Sequence, residues 1–283
     1  YIKLVRGKNV KAILSPEGED YMELLRQELR SIPANVIIAC GNVALWALCS
    51  RIGITSWRGS VLDSTLLPGR KVIPTIHPAT WTQEKLYINP DAYLNKYLVV
   101  LDLKNAKLET EYPDIRITPR RFITQPTYNE ALSFISSCID KGHAGHVIDY
   151  DIELTYKTQQ LSCIGLASNE QCAMCIAFIS SAGDCFDPDQ ELNIMLLLEK
   201  LFSDASIKKR GQNVIFDSHF LLRRYGIRTY NLEDTMVAQG IIYPELRKGL
   251  DFITAMWTDI PYYKRDGKVW LEGGGDWENG WRY

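Results

Sequence analysis

An apolar run that ends in two closely spaced carboxylates constrains this chain more than any other feature. His146-Val147-Ile148-Asp149-Tyr150-Asp151-Ile152-Glu153-Leu154 reads as a β-strand, in which successive side chains alternate faces. Asp151 and Glu153 then share one face while Ile152 points into the opposite layer. Their Cα atoms would stand about 6.5–7 Å apart. That spacing suits two divalent cations roughly 3.5–4 Å apart, held by hard oxygen ligands. Two such carboxylates without cations repel, so the arrangement asks for metal or for a wet strand end. A lone Asp-x-Glu is satisfied by the second.

The segments that follow narrow the choice. Residues 160–166 and 173–180 are apolar and strand-like, which makes an antiparallel meander with the acidic strand. A helix is expected over 189–202, where Leu196, Leu197, Leu198 and Leu201 read as core. Lys208-Lys209-Arg210 then leads into Gly211-Gln212-Asn213-Val214-Ile215-Phe216-Asp217 and a helix through Leu221 and Leu222. Asp217 falls at or just before that helix start, where the helix dipole favours an acid. Taken alone, it is an N-cap.

Upstream, a helix is expected over 20–31, with Met22, Leu24, Leu25 and Leu29 as its apolar stripe. Asn35–Cys40 reads as a strand buried on both faces. A helix over 43–50 follows, then a hairpin around Trp57–Leu62, and a strand over 70–76 that closes on His77-Pro78-Ala79. Alternating α and β segments argue for a parallel sheet. After a helix from 90 to about 108, Pro113, Pro119 and Pro126 mark a linker and lead-in strand. A helix over 129–140 opens the second half.

Composition sets outer limits. The 283 residues suffice for two domains, and 46% hydrophobic with 23% charged residues describes a globular chain. No run approaches a membrane span, so no membrane partner is expected. A net charge of −2 gives no global positive field for coating nucleic acid, although cations can supply local positive charge to a nuclease. Seven scattered cysteines suit a reducing compartment better than a disulfide framework. Cys172-x-x-Cys175 has no second pair or histidine to complete a zinc site, and in a strand the two would face opposite ways.

Two resemblances draw these motifs together. Asn35–Asn42, Arg58-Gly59 and the strand ending in His77-Pro78-Ala79 resemble the second half of the uracil-DNA glycosylase superfamily. The resemblance implies that His77 would contact uracil. Ala79 stands where the family has serine, and the family's Gly-rich water-orienting loop would lie before residue 1, so no glycosylase activity is expected. Residues 112–283 resemble the 3′–5′ proofreading exonuclease domain of phage-like family A DNA polymerases, with a ribonuclease-H-like fold. Asp151 and Glu153 match its first motif, and Asn213 with Asp217 its second. Asn231–Met236, Leu246–Phe252 and Pro261–Lys264 match flanking segments.

The resemblance implies an α/β chain: a truncated glycosylase-like parallel-sheet domain over 1–108, then an exonuclease domain with a mixed sheet over 109–283. It implies two divalent cations, Mg²⁺ or Mn²⁺, held by Asp151, Glu153 and Asp217. Tyr283, in Asp276–Tyr283, matches the tyrosine of the third motif, which orients the attacking water; its partner aspartate would lie four residues past the last one. Tyr262–Asp266 has the same spacing in a turn-like setting. Asn213 and Phe216 would touch nucleic acid. The implied partners are a single-stranded DNA 3′ end and the polymerase domain of the same parent chain, in bacterial cytoplasm or a phage-infected host. A chain running from Tyr1 to Tyr283 is expected to be a fragment. Two alternatives stay open: an impaired nucleic-acid-binding scaffold, and a stand-alone RNA-trimming exonuclease of the same superfamily.

Overall fold

Apolar periodicity turns into alternating strands and helices in the computed structural model, which describes residues 2–5, 11–81, 92–116, 118–155, 158–180 and 182–258. The described residues fall into two compact units. One lies within 1–117 and takes back the segment that begins at Gly249; the other lies within Thr118–Lys248. The division read from sequence, at residue 108, had placed that returning segment with the second half.

In the first unit, strands β1 (Ile2–Val5) and β2 (Lys11–Leu14) form an antiparallel pair. Helix α1 (Pro16–Ser31) starts with proline in its first turn, where the missing N–H costs nothing. Its Met22, Leu25 and Leu29 pack on the core, while Leu24 is exposed, so the apolar stripe is narrower than expected. Strand β3 (Val36–Cys40) is followed by α2 (Gly41–Cys49), the short α3 (Ile54–Trp57), β4 (Leu62–Asp63) and β5 (Lys71–Thr75). The sheet order is β3-β5-β4.

Three expectations change here. The sheet is mixed, because β5 pairs parallel with β3 and antiparallel with β4. β3 is an edge strand, and its Ile38 is 40% exposed, so only β5 is buried throughout. Trp57 ends a helical turn instead of entering a hairpin: Asn42 Oδ1 accepts from the N–H groups of Gly53 and Ile54 at 2.9 Å and starts α3.

A buried ion pair holds α4 (Ala92–Glu109) to this unit. Arg58 Nη2 meets Asp102 Oδ1 at 2.5 Å, and Thr75 Oγ1 donates to Asp102 Oδ2 at 2.6 Å. The late helix α9 (Leu250–Trp257) completes the packing: Arg58 lies 5.8 Å from the Phe252 ring centroid.

The second unit is built on a six-stranded mixed sheet of order β13-β12-β7-β8-β9-β6. In chain order it contains β6 (Arg121–Ile123), α5 (Tyr128–His143), β7 (Ile148–Leu154), β8 (Leu161–Ala167) and β9 (Cys172–Ala177). A small pair, β10 (Ile179–Ser180) and β11 (Gly183–Asp184), leads to α6 (Pro188–Ser203). Then follow β12 (Lys209–Gly211), α7 (Val214–Tyr225), β13 (Leu232–Asp234) and α8 (Thr235–Ile242). β7, β8 and β9 form the expected antiparallel meander, and β12 joins β7 in parallel.

Capping boxes start α5 (Thr127 with Glu130) and α6 (Asp187 with Gln190), each satisfying two backbone N–H groups. Ile148, Tyr150 and Ile152 on β7 share one core with Ile164, Leu166, Met174 and Ile176, together with Ile135 of α5 and Leu198 and Leu201 of α6. This packing decides which face of β7 is left for chemistry.

Candidate active site

Alternation along β7 does what the sequence pattern implies. Ile148, Tyr150 and Ile152 are buried, whereas Asp151 and Glu153 are exposed on the other face. The ladder to β8 shifts register between Glu153 and Leu154. Such irregularities bend a strand and re-aim its side chains, and they are common beside active sites.

Asp217 reaches the same place from α7, by a route the sequence did not show. Asn213 adopts the left-handed conformation (φ 60°, ψ 42°) and serves as N-cap residue, so the helix begins at Val214 and Asp217 lies within its first turn. The N-cap expectation for Asp217 is thereby corrected. Its side chain is only 3% exposed and accepts a backbone hydrogen bond from Ile152, the residue between the two exposed acids. Burial pushes the Asp217 carboxyl up to about 7, the Asp151 and Glu153 charges add to the rise, and the bond from Ile152 opposes it. The Asp217 carboxyl therefore lies near enough to β7 to feel the charges of both Asp151 and Glu153.

The turn before α7 is tightly specified. A Cβ on Gly211 would stand 2.8 Å from the Tyr150 carbonyl oxygen and 2.7 Å from Val214 Cγ1, so only glycine lets β12 pass this close to β7. Asp234 then holds two helix starts at once. Its Oδ1 and Oδ2 accept from the N–H groups of Asn213 and Val214 at 3.0 Å. Oδ1 also accepts from Met236 at 2.8 Å and Val237 at 3.4 Å, capping α8. Thr235 donates to the Gly211 carbonyl at 3.1 Å, and Gln212 Nε2 to that of Lys248 at 2.8 Å. On the neighbouring strands Arg210 clasps Asp149 through two bonds of 2.6 and 2.9 Å. Sequence reasoning gave Asp234 no role of its own. An aspartate just ahead of a helix is a readable cap, but its second helix is visible only in three dimensions.

The donor set fits a hard divalent cation. It offers only carboxylate oxygens, and the buried Asp217 lies under negative charge that a cation would relieve. Among the described residues no three His, Cys, Asp or Glu side chains already stand close enough together to hold an ion. The exposed acids would have to turn inward to close on one.

The other expected site residues fall as follows. Asn213 lies in the turn, and Phe216 is 53% exposed on the first turn of α7 beside Ile215, at 69%. Tyr283 and the Tyr262–Asp266 pair lie outside the described residues. His77 belongs to the first unit. It is exposed after β5, its Nδ1 accepts from the Ala79 N–H at 3.1 Å, and its ring abuts Gly41. It borders a groove of about 600 Å³ lined by Tyr21, Met22, Leu25 and Val43. No helix among the described residues is long and apolar enough to cross a membrane.

Residues 130–269 match the family described as 3′–5′ exonuclease. The sheet of the second unit is mixed, as expected from the sequence. No curated protein matches the chain. Among solved structures, the Trypanosoma brucei RNase D:GMP complex is 18% identical, covers 58% of this chain and 49% of its own, and has a TM-score of 0.42. Escherichia coli RNase D is 18% identical over 53% of this chain and 36% of its own, with a TM-score of 0.38. Brucella melitensis NrnC with bound Mg²⁺ is 20% identical over 42% and 56%, with a TM-score of 0.33. The chain spans about half the length of the first of these.

Proposed function

Proceeding from the match of residues 130–269 to the family described as 3′–5′ exonuclease, we propose that the chain is the proofreading exonuclease module of a phage-like family A DNA polymerase. It removes nucleotides from single-stranded DNA 3′ ends with the help of two divalent cations. The observation that carries the reading is Asp217, buried and hydrogen-bonded to the backbone between Asp151 and Glu153.

Bound there, divalent cations supply an acidified water, neutralisation of charge on phosphorus and stabilisation of the departing 3′ oxygen. The protein's own residues do the rest. Asp151 and Glu153, on the exposed face of β7, and Asp217, from α7, would hold the cations through their carboxylate oxygens. Asp217 stays where the Ile152 N–H and the Asp234 caps put it, so the chemistry depends on α7 being seated. Exposed Ile215 and Phe216 give unpaired bases an apolar bed that reads no sequence. Tyr283 is the residue assigned to orient water.

The first unit is read as a glycosylase-like attachment that lost its chemistry, with His77 as its remnant. A direct test compares a DNA and an RNA oligonucleotide of equal length and sequence, each 5′-labelled, in Mg²⁺. Preference for the DNA 3′ end is expected; a clear preference for RNA would overturn the proofreading assignment in favour of an RNA-trimming enzyme.

A further inference from the structure

Sheet register puts two thiols on the face that carries the acids. On β8, Cys163 stands across from Glu153 and Gly165 across from Asp151. One ladder further, Gly165 faces Cys175 and Cys163 faces Ala177. Residues paired in register point to the same side of a sheet. Asp151, Glu153, Cys163 and Cys175 therefore share one side, with Ile152, Ile164 and Ile176 on the other. Cys163 is buried, Cys175 is half-buried, and neither is in a disulfide. The two thiols are close enough to act on each other, and the Glu153 charge acts on both.

The pair is poorly placed for a disulfide. Diagonal neighbours on adjacent strands have Cα atoms about 7–8 Å apart, beyond the roughly 6.8 Å limit of bridged cysteines. A tetrahedral cation fits better: two sulfurs, each about 2.3 Å from zinc, stand roughly 3.8 Å apart, which is near the contact distance of two thiols. We propose that Cys163 and Cys175, with the Glu153 carboxylate turned onto them, bind a thiophilic divalent cation of the zinc and cadmium class.

Two metal–thiolate bonds form, and the two displaced thiol protons pass to solvent. Glu153 completes the set by a rotamer change, since no three ligands stand ready among the described residues; its exposed side chain lies directly across from Cys163. Water takes the remaining position. On the exonuclease reading, on which this consequence rests, Glu153 cannot serve both ions. A thiophilic cation therefore withdraws an acid from the Mg²⁺ centre and inhibits hydrolysis.

The test titrates the whole, reduced, metal-free chain with Cd²⁺ in the absence of nucleic acid and follows sulfur-to-cadmium charge transfer in the ultraviolet. A band that saturates at a single equivalent is expected, lost in Cys163→Ala/Cys175→Ala and weakened at least tenfold in affinity by Glu153→Gln. If the buried position spoils folding, Cys175→Ala alone, at a half-buried site, must lose the band. No band from chain whose thiols count as reduced, or an unchanged band in either cysteine variant, overturns the site. Because no hydrolysis is read, this failure is separable from failure of the exonuclease reading. Where Mg²⁺-driven hydrolysis is present, Cd²⁺ should slow the parent more than tenfold and the Cys175→Ala variant less than twofold, each relative to its own cadmium-free rate. Equal slowing overturns the inhibitory consequence.

Discussion

Replacing Asp234 by alanine should damage activity from a distance, because one carboxylate seats both α7 and α8. Four backbone N–H groups lose their acceptor: those of Asn213, Val214, Met236 and Val237. Loss of a single cap costs about 0.5–2 kcal/mol, so two caps together put the destabilisation at roughly 1–4 kcal/mol. For a unit of this size each kcal/mol lowers Tm by about 3–5 °C, a drop of roughly 10 °C in all. The N-terminal turn of α7, freed from Asp234, carries Asp217. A shift of only about 1 Å in a reacting constellation costs on the order of 100-fold in rate. Asp234→Asn, which keeps an oxygen acceptor but no charge, should fall between. The assay pairs thermal unfolding with single-stranded DNA hydrolysis measured well below every Tm. If Asp234→Ala lost the expected stability yet kept its rate within twofold, α7 would not depend on this carboxylate for its placement, and the positioning argument would fall.

Further expectations concern other parts of the molecule. In EDTA, Asp217→Asn should be more stable than the parent by about 1–2 kcal/mol, since it removes a buried charge beside two others; it should also lose hydrolysis, and denaturant melts set against rate measurements check both. Buried Lys209, whose Nζ donates to the Asp204 carbonyl, is pushed down to about 8 by desolvation. Between about pH 8 and 10.5 the unfolded chain then binds more protons than the folded one, so this group should add roughly 2–3 kcal/mol as pH rises through that window. Lys209→Met should flatten that rise in urea melts, and an unchanged slope would contradict the assignment. In the first unit, no uracil should leave uracil-containing DNA; abasic sites that disappear in His77→Ala would refute the inactive reading.

The acids of β7 were legible because strand alternation is a local rule, and a core on one side forces the outcome. Asp217 was legible as an acid near a helix start but not in its position: a left-handed Asn213 moves the helix start, and apolar pattern says nothing about that turn. The exposure of Ile38 was hidden for a different reason. A short apolar run shows that a strand exists, not whether it has one neighbour or two. The Arg210–Asp149 clasp, the double cap by Asp234 and the Cys163–Cys175 pair each join residues on separate elements, so register and packing reveal them. The return of α9 to the first unit follows from no local pattern at all.

The cation centre is tested most directly by hydrolysis of a 5′-labelled single-stranded DNA in Mg²⁺ or Mn²⁺ by the parent chain, Asp151→Ala and Asp217→Ala. Stepwise shortening from the 3′ end, dependent on the cation and reduced at least 100-fold in each variant, is the predicted result. Shortening that persists in EDTA, or that survives loss of either aspartate, would contradict a cation centre built on these residues.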